Sequence, residues 1–501
     1  MHLTLKVMRK NYLLAIILSA VLSITACTDL DEELYSSIPQ SQFGGTSEEI
    51  NSLIGPAYGT LVNYVNNDFW MQEITTDEYM IPARGLDWYS GGIHLRYHTH
   101  EWSARETPNF WRFEQVTTVN KIIDLLDNTT VEIENKDRIY AELRTIRAFW
   151  YFLMLDNIGN VPIVTEFEGE LPKNNTRKEV YDFVESELLA VVDKLTEEKS
   201  TNTYTKATKW VAYTILAKLY LNAGVYTGAP QWNKCLEYCN KVVQSGLYEL
   251  EPNFFNNFKV KNEGSKENIW SIPYDADYFR GYFIPYQMSW HYSSYLTFDV
   301  QFSSWNGPCA VPGFVKSFDL ADARRNSFLI GPQRSSTGEV IYTRDGITPL
   351  NFTIDVRDFA SATENEGARL FKWEVEKGGR THLNNDFAIF RYSDILLMKA
   401  ECMLRTGDEQ GARALVNEVR ERNFNPAKPL STLTLDLLLK ERGFEFVFEG
   451  WRRNDLIRFD VFKNTWDFKP NSDPADRHTY IFPIPLTIMD RNPNLTQNPG
   501  Y

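Results

Sequence analysis

TKWVAYTILAKLYLNAGVYTGAPQWNKCLEYCNKVVQ, Thr208 to Gln244, decides the fold class. Ala212, Leu216, Ala217, Tyr220 and Leu221 recur at helical spacing, Gly224 to Pro230 interrupts them, and Leu236 and Cys239 resume the pattern. Two helices therefore turn back on one another, with small residues where they approach. Arg391–Thr406 and Asp408–Asn423 make a second such pair, with Gly407 between them.

The helical signal continues on both sides. Ile50, Leu53, Ile54, Ala57 and Leu61 follow a possible cap at Thr46 or Ser47. Thr107–Asp127, Arg138–Ile158 and Lys178–Leu195 each carry apolar residues at helical spacing, and Gly159-Asn160-Val161-Pro162 stops the second. Leu435–Phe459 reads as one more helix. Tyr480–Tyr501 is too rich in Pro and Asn to be helical throughout, yet apolar enough to pack as a strap over the helical body. The pairs resemble tetratricopeptide units, although the roughly 34-residue self-similarity of that repeat is absent. Any repeats are degenerate and separated by insertions.

Two segments break the helical pattern. Asn66–His100 is polar, Gly-rich and aromatic. Tyr248–Asp386 contains Tyr278–Phe314, YFRGYFIPYQMSWHYSSYLTFDVQFSSWNGPCAVPGF, in which twelve of 37 residues are Phe, Trp or Tyr and Gly or Pro recurs throughout. A long aromatic loop in a compact protein needs a reason to exist, and binding is a common one. Most of its rings are expected in the core, with a few exposed on purpose.

The N-terminus is an address. Lys6, Arg9 and Lys10 precede an apolar run from Tyr12 to Ile24, which is too short to span a bilayer comfortably. Leu22-Ser23-Ile24-Thr25-Ala26-Cys27 resembles a bacterial lipobox, which implies cleavage before Cys27 and a diacylglyceryl thioether on it. Asp29, Asp31, Glu32 and Glu33 follow, similar to the acidic export signals of Bacteroidetes surface lipoproteins. The full chain carries a formal charge of −14, and residues 27–501 hold 49 basic against 66 acidic residues, or −17. Such a balance excludes nucleic acid as a partner and electrostatic docking on anionic lipid. Cys235, Cys239, Cys309 and Cys402 form no CxxC motif and read as small buried apolar residues.

Five stretches in order resemble the SusD/RagB family of outer-membrane nutrient-binding lipoproteins. They are the lipobox at Cys27, RAFWYFLMLDNIGNVPIV (Arg147–Val164), RYSDILLMKAECMLRTGD (Arg391–Asp408), ERGFEFVFEGWRRNDLIRF (Glu441–Phe459) and YIFPIPLTIMDRNPNLTQNPGY (Tyr480–Tyr501). The resemblance implies a mostly α fold with degenerate tetratricopeptide-type helix pairs as scaffold and a loop-rich ligand-binding half. It divides the chain into a signal peptide (1–26), a lipidated acidic tether (27–45) and a single domain (46–501). The scaffold is then mainly 107–247 and 387–501, and the ligand-facing loops mainly 66–106 and 248–386. It also implies a non-enzymatic protein without cofactor that binds a glycan. Its expected setting is the cell outer membrane, facing the exterior through the lipid on Cys27. The expected partner is a SusC-like TonB-dependent transporter, to which the ligand is delivered.

Candidate aromatic platforms are Trp88, Tyr89, Tyr282, Trp290, Tyr292 and Trp305. The C–H face of a pyranose lies against a π face while its hydroxyls seek polar groups. Asp77, Glu78, Arg84 and Asn306 are the candidate polar partners. Trp88 and Trp305 rank first because Gly and polar residues surround each. Peptide uptake in the manner of RagB is an alternative. A surface glycosidase is another, since Glu441, Glu445 and Glu449 recur every four residues. Nearby arginines favour reading those carboxylates as a charged helix face tied to other helices. Asp394, Glu401 and Arg405 read likewise. His94, His98 and His100, with Asp87 and Glu101 near, would place His-x-His on one face of a strand, a possible metal site. No HExxH, phosphate loop or GxSxG elbow occurs.

Overall fold

The computed structural model describes residues 47–279 and 284–501. The expected signal peptide, the tether with Cys27, and Tyr282 lie outside them. Ten helices of seven residues or more carry the described chain: α1 (Ser47–Gly59), α2 (Phe113–Asn128), α3 (Lys136–Asn157), α4 (Arg177–Val191), α5 (Lys209–Leu221), α6 (Trp232–Gln244), α7 (Tyr392–Arg405), α8 (Glu409–Glu421), α9 (Leu435–Phe446) and α10 (Arg452–Arg458). The fold is mostly α. Its strands are short and pair in twos, among them β1 (Tyr79–Met80) with β3 (Cys309–Ala310) and β2 (Asn268–Ile272) with β4 (Phe387–Arg391).

The scaffold follows from which helices are apolar all round. Every residue of α5 from Trp210 to Leu221 is buried, as is nearly all of α3 from Ala141 onward, so these two run through the core. α6 buries one stripe, Cys235, Tyr238, Cys239 and Val242, and α8 buries Ala412, Val416 and Val419. α5 packs on α6, α6 on α7, and α7 on α8. The two helix pairs thus stack together although Tyr248–Asp386 separates them in sequence. Local chemistry sets the ends. Thr176 and Glu179 form a reciprocal cap on α4, and Thr434 and Asp408 cap α9 and α8.

Two helices are shorter than their patterns predict. α2 begins at Phe113, six residues late, because Arg112 leaves helical geometry to grip Asp68 at 2.6–3.1 Å in the interior. The helix predicted over Leu435–Phe459 breaks between α9 and α10, where Phe448 (φ 60°) and Gly450 (φ 80°) adopt left-handed backbone. A side chain at Gly450 would meet the Tyr64 hydroxyl, and its N–H is held by Glu73 at 2.6 Å.

The C-terminal residues do form a strap. Phe482 N–H bonds Asn157 O at the end of α3, Asn498 bonds Ile158 O, and Phe482 and Ile484 are buried.

Glu441 and Glu445 on α9 and Glu449 just beyond its end are buried, and arginines tie them to other elements as expected. Arg391 binds Glu267, Glu445 and Glu449. Arg422 binds Glu267 and Glu445, Arg324 binds Asp322, Glu441 and Glu445, Arg420 binds Glu441, and Lys372 binds Glu449. Five acids meet five bases, which is the condition for burying so much charge. Despite burial, the arginines hold the Glu267 and Glu445 carboxyls below their ordinary range. Asp394 and Glu401 are likewise enclosed, with Lys218, Arg442 and Arg458. These carboxylates are clamped and out of reach of a substrate.

Candidate functional site

Pairing of β1 with β3, Tyr79 opposite Ala310 and Met80 opposite Cys309, brings the two irregular segments side by side. Below that seam the chain is interior. Glu78 is fully buried, and Asp77 is gripped by Arg452 at 2.7 and 2.8 Å. Neither faces a ligand, because the residues leading into β1 are held by Val311 N–H at Glu78 O and by Arg452 of α10.

Above the seam, Arg84 and Asp87 close a tight turn on each other, 2.8 and 3.2 Å between their backbones, with Gly85 at φ 67° and Leu86 projecting from the tip. Arg84 itself is buried. Its guanidinium donates to the carbonyls of Thr363 and Gly307, so it buttresses the turn from beneath. Trp88, Ser90, Gly91 and Gly92 then all take positive φ. Backbone held this way is costly for non-glycine residues and is found where a side chain must be aimed.

What is aimed is Trp88. Its indole N–H donates to Trp305 O at 2.8 Å, and the two indoles lie 6.3 Å apart, tilted by 38°. Trp88 rests directly on Gly307. A Cβ there would stand 2.2 Å from the ring, so no residue but glycine admits this contact. Residues Trp305, Asn306 and Gly307 donate in turn to the carbonyls of Gln287, Trp290 and Met288 at 2.6–2.7 Å. That seam lifts Trp305 to the surface, 43% exposed, with Tyr89 at 53% beside the turn.

The same seam buries two other expected site residues. Trp290 is sandwiched between Tyr286 and Phe298, at 4.4 and 4.1 Å, and its N–H bonds Leu370 O. Asn306 is buried, its amide oxygen held by Arg369 at 2.8 Å. Both are core, because the chain reverses through them.

Tyr292 does reach the surface group. Its hydroxyl donates to Asp87, Arg344 bonds the same carboxylate at 3.1 Å, and the Arg344 guanidinium covers the Tyr292 ring at 3.5 Å. Burial, and then Asp87, raise the Tyr292 phenol well above its ordinary range, so it stays a donor. A cavity of about 440 Å³ opens here, lined by Arg84, Asp87, Tyr292, Arg344, Asp345 and Glu364 among others. Arg344, Asp345 and Glu364 were not visible as site residues in sequence. Their only signal is the Arg344-Asp345-Gly346 turn inside the long insertion.

The histidines belong to structure. Ile93–His98 is helical and not a strand. His98 bonds Asp467 O at 2.8 Å, and His100 bonds Asp473 at 2.7 Å while stacking on Phe462. Among the described residues no group of three His, Cys, Asp or Glu side chains converges as a metal site, and no helix is long and apolar enough to cross a membrane.

Comparison with known proteins adds the following. A family described as "SusD family" matches residues 245–501, and one described as "Starch-binding associating with outer membrane" matches residues 30–221. The chain is 27% identical over 455 residues to the starch-binding protein SusD of Bacteroides thetaiotaomicron, covering 80% of each. Its fold is similar to that of surface glycan-binding protein A from Bacteroides uniformis, with a TM-score of 0.74 at 23% identity over 90% of this chain and 99% of that one. It is also similar to surface glycan-binding protein A from Bacteroides thetaiotaomicron in complex with laminarihexaose, with a TM-score of 0.71 at 21% identity over 90% and 99%.

Proposed function

The chain belongs to the SusD family, and from that premise we propose that it captures oligosaccharide at an outer-membrane surface and passes it to a SusC-like transporter without bond chemistry. The observation that carries this reading is the Trp88–Trp305 pair, half-buried Trp88 fixed by its hydrogen bond and by Gly307 against exposed Trp305, beside a polar cavity.

Each indole offers a face for the C–H side of one sugar ring. Because the planes are tilted by 38°, the pair suits a glycan whose successive rings turn relative to one another more than a flat ribbon. Tyr89 extends the platform. Asp87, Arg344, Asp345 and Glu364 supply acceptors and a forked donor for ring hydroxyls. Arg344 must slide off Tyr292 before that ring can serve as a platform. The two Bacteroides surface glycan-binding proteins of similar fold and the starch-binding SusD relative support a glycan over a peptide. The description of the matched N-terminal family supports the outer membrane, and the lipobox at Cys27 supports the lipid anchor. The clamped state of Glu441, Glu445 and Glu449 supports binding without hydrolysis.

Isothermal titration of the protein lacking residues 1–27 against soluble starch, laminarin and other polysaccharides tests this. Binding to at least one, lost in a Trp88→Ala/Trp305→Ala variant, is expected, with no shortened products after incubation. Binding to peptides and to no glycan would overturn it.

A further inference from the structure

Tyr292 reaches the surface group without offering its ring. The Arg344 guanidinium lies over it, 3.5 Å from the ring centre, and the same group bonds Asp87 at 3.1 Å. Asp87 in turn accepts the Tyr292 hydroxyl. A flat group on a ring face, joined at its edge to a carboxylate, is the arrangement a pyranose would make in this place. Its C–H side would lie on the phenol ring and its rim hydroxyls on Asp87. Arginine imitates that arrangement because its guanidinium is planar, stacks on aromatic faces and donates as a fork.

The base of this cap is fixed and its end is loose. Arg344 N–H donates to Glu364 at 2.9 Å. The same Glu364 oxygen accepts from Nε2 of buried His291 at 2.9 Å, since His291 Nδ1 takes the Ser293 N–H. That carboxylate joins the Arg344 turn to the residue preceding Tyr292. Asp345 braces the turn again, accepting from the N–H groups of Ile347 and Thr348 and from the hydroxyls of Thr343 and Thr348. The Arg344 side chain, by contrast, is 58% exposed, held by one exposed ion pair and one ring face. Exposed pairs contribute little, and freeing a long side chain returns rotamer entropy. The side chain can leave while its backbone stays. Its departure uncovers a ring face and a carboxylate together, at the cavity of about 440 Å³.

We propose that Arg344 is a built-in competitor at the glycan site. It occupies the Tyr292–Asp87 subsite in the empty protein, is displaced by one sugar ring, and by returning favours release. This role rests on the glycan reading above and adds how that site sets its affinity. A site open in only a fraction of molecules binds with an apparent affinity lowered by that fraction.

The test titrates Arg344→Ala beside the unaltered protein, both lacking residues 1–27, with soluble starch, laminarin and the other polysaccharides. Removing the competitor should tighten binding roughly threefold to tenfold, as for a cap closed in about two-thirds to nine-tenths of molecules. Raising salt from about 20 mM to about 500 mM screens the Arg344–Asp87 pair, so affinity of the unaltered protein should rise while that of Arg344→Ala stays flat. Weaker or unchanged binding by Arg344→Ala overturns the proposal, weaker binding making Arg344 a direct donor to the glycan. A readout without ligand is the Nε–H proton resonance of Arg344, assigned by its loss in Arg344→Lys. The ring current of Tyr292 should displace it in the empty protein, and saturation with glycan should return it to its ordinary position. An undisplaced resonance in the empty protein also overturns the proposal. If the unaltered protein binds no polysaccharide, binding regained in Arg344→Ala supports the cap. No binding by either protein, with the resonance still displaced, is a failure of the glycan reading and takes the competitor role with it.

Discussion

Two regions of this molecule advertise function in the same language, and only one is open to solvent. Trp88, Trp305, Tyr292 and Asp87 form a surface of rings and polar groups at a cavity mouth. Glu441, Glu445 and Glu449, with Arg324, Arg391 and Arg422, form an equally dense array of charge sealed in the core. The difference is where each group's partners are. In that cluster every carboxylate is paired with an arginine or lysine of the protein, so it binds nothing else. At the surface, Trp305 and Tyr89 keep exposed rings, and the charged groups nearby line a cavity instead of being sealed in.

The contrast breaks most severely in the interior. Arg391→Met should cost about 3–5 kcal/mol of stability, since it strands Glu267, Glu445 and Glu449 without their common partner. Trp290→Ala should cost a similar amount by opening a void between Tyr286 and Phe298. Denaturant unfolding measures both, and protein that remains folded should still bind glycan. A loss of binding without a loss of stability would erase the distinction.

The opposite pattern is expected at the surface. Trp305→Ala should weaken glycan binding roughly tenfold, equivalent to about 1.4 kcal/mol, while the unfolding midpoint barely moves. Gly307→Ala sharpens the point. Its methyl group would collide with Trp88, so affinity should fall severalfold by displacement of a ring that the substitution does not itself remove. Titration beside an unfolding curve separates the two effects.

A smaller effect concerns the buried carboxyls at the seam. The Glu78 carboxyl is buried beside that of Glu73, and burial pushes Glu73 up to about 8. An acid that binds its proton more tightly when folded stabilises the fold most fully below its unfolded value, about 4.3. That contribution is lost as pH rises through about 8. Glu73→Gln keeps the oxygen that Gly450 N–H bonds and should flatten the fall of melting temperature between pH 5 and pH 8, a change on the order of 1 kcal/mol or more. An unaltered slope would show that these carboxyls do not titrate in that window.

Much of the helical body was legible because burial on a helix leaves a periodic trace. α5 and α6 follow almost residue for residue from the spacing of Ala212, Leu216, Tyr220 and Cys239. The late start of α2 and the break after α9 were not legible, since Arg112 leaves its pattern for a partner 44 residues away and Gly450 for one 377 residues away. The site shows the same limit. Trp290 and Trp305 stand in one stretch of one composition, and no local property separates the core ring from the exposed one. Asp77 and Glu78 looked as available as Asp87. Arg344, the group covering Tyr292, drew no notice at all.

By itself, then, the sequence determined the mostly α scaffold, the order of its helix pairs and the two irregular segments between which a ligand would be met. All of these depend on periodicity and on residues close in the chain. The tertiary structure alone decided which rings and charges are free. That choice depends on the β1–β3 seam and on the reversal joining Trp305, Asn306 and Gly307 to Gln287, Trp290 and Met288. Exposure is a property of what packs against a residue, and those partners lie hundreds of positions away for Asp77 and Trp88.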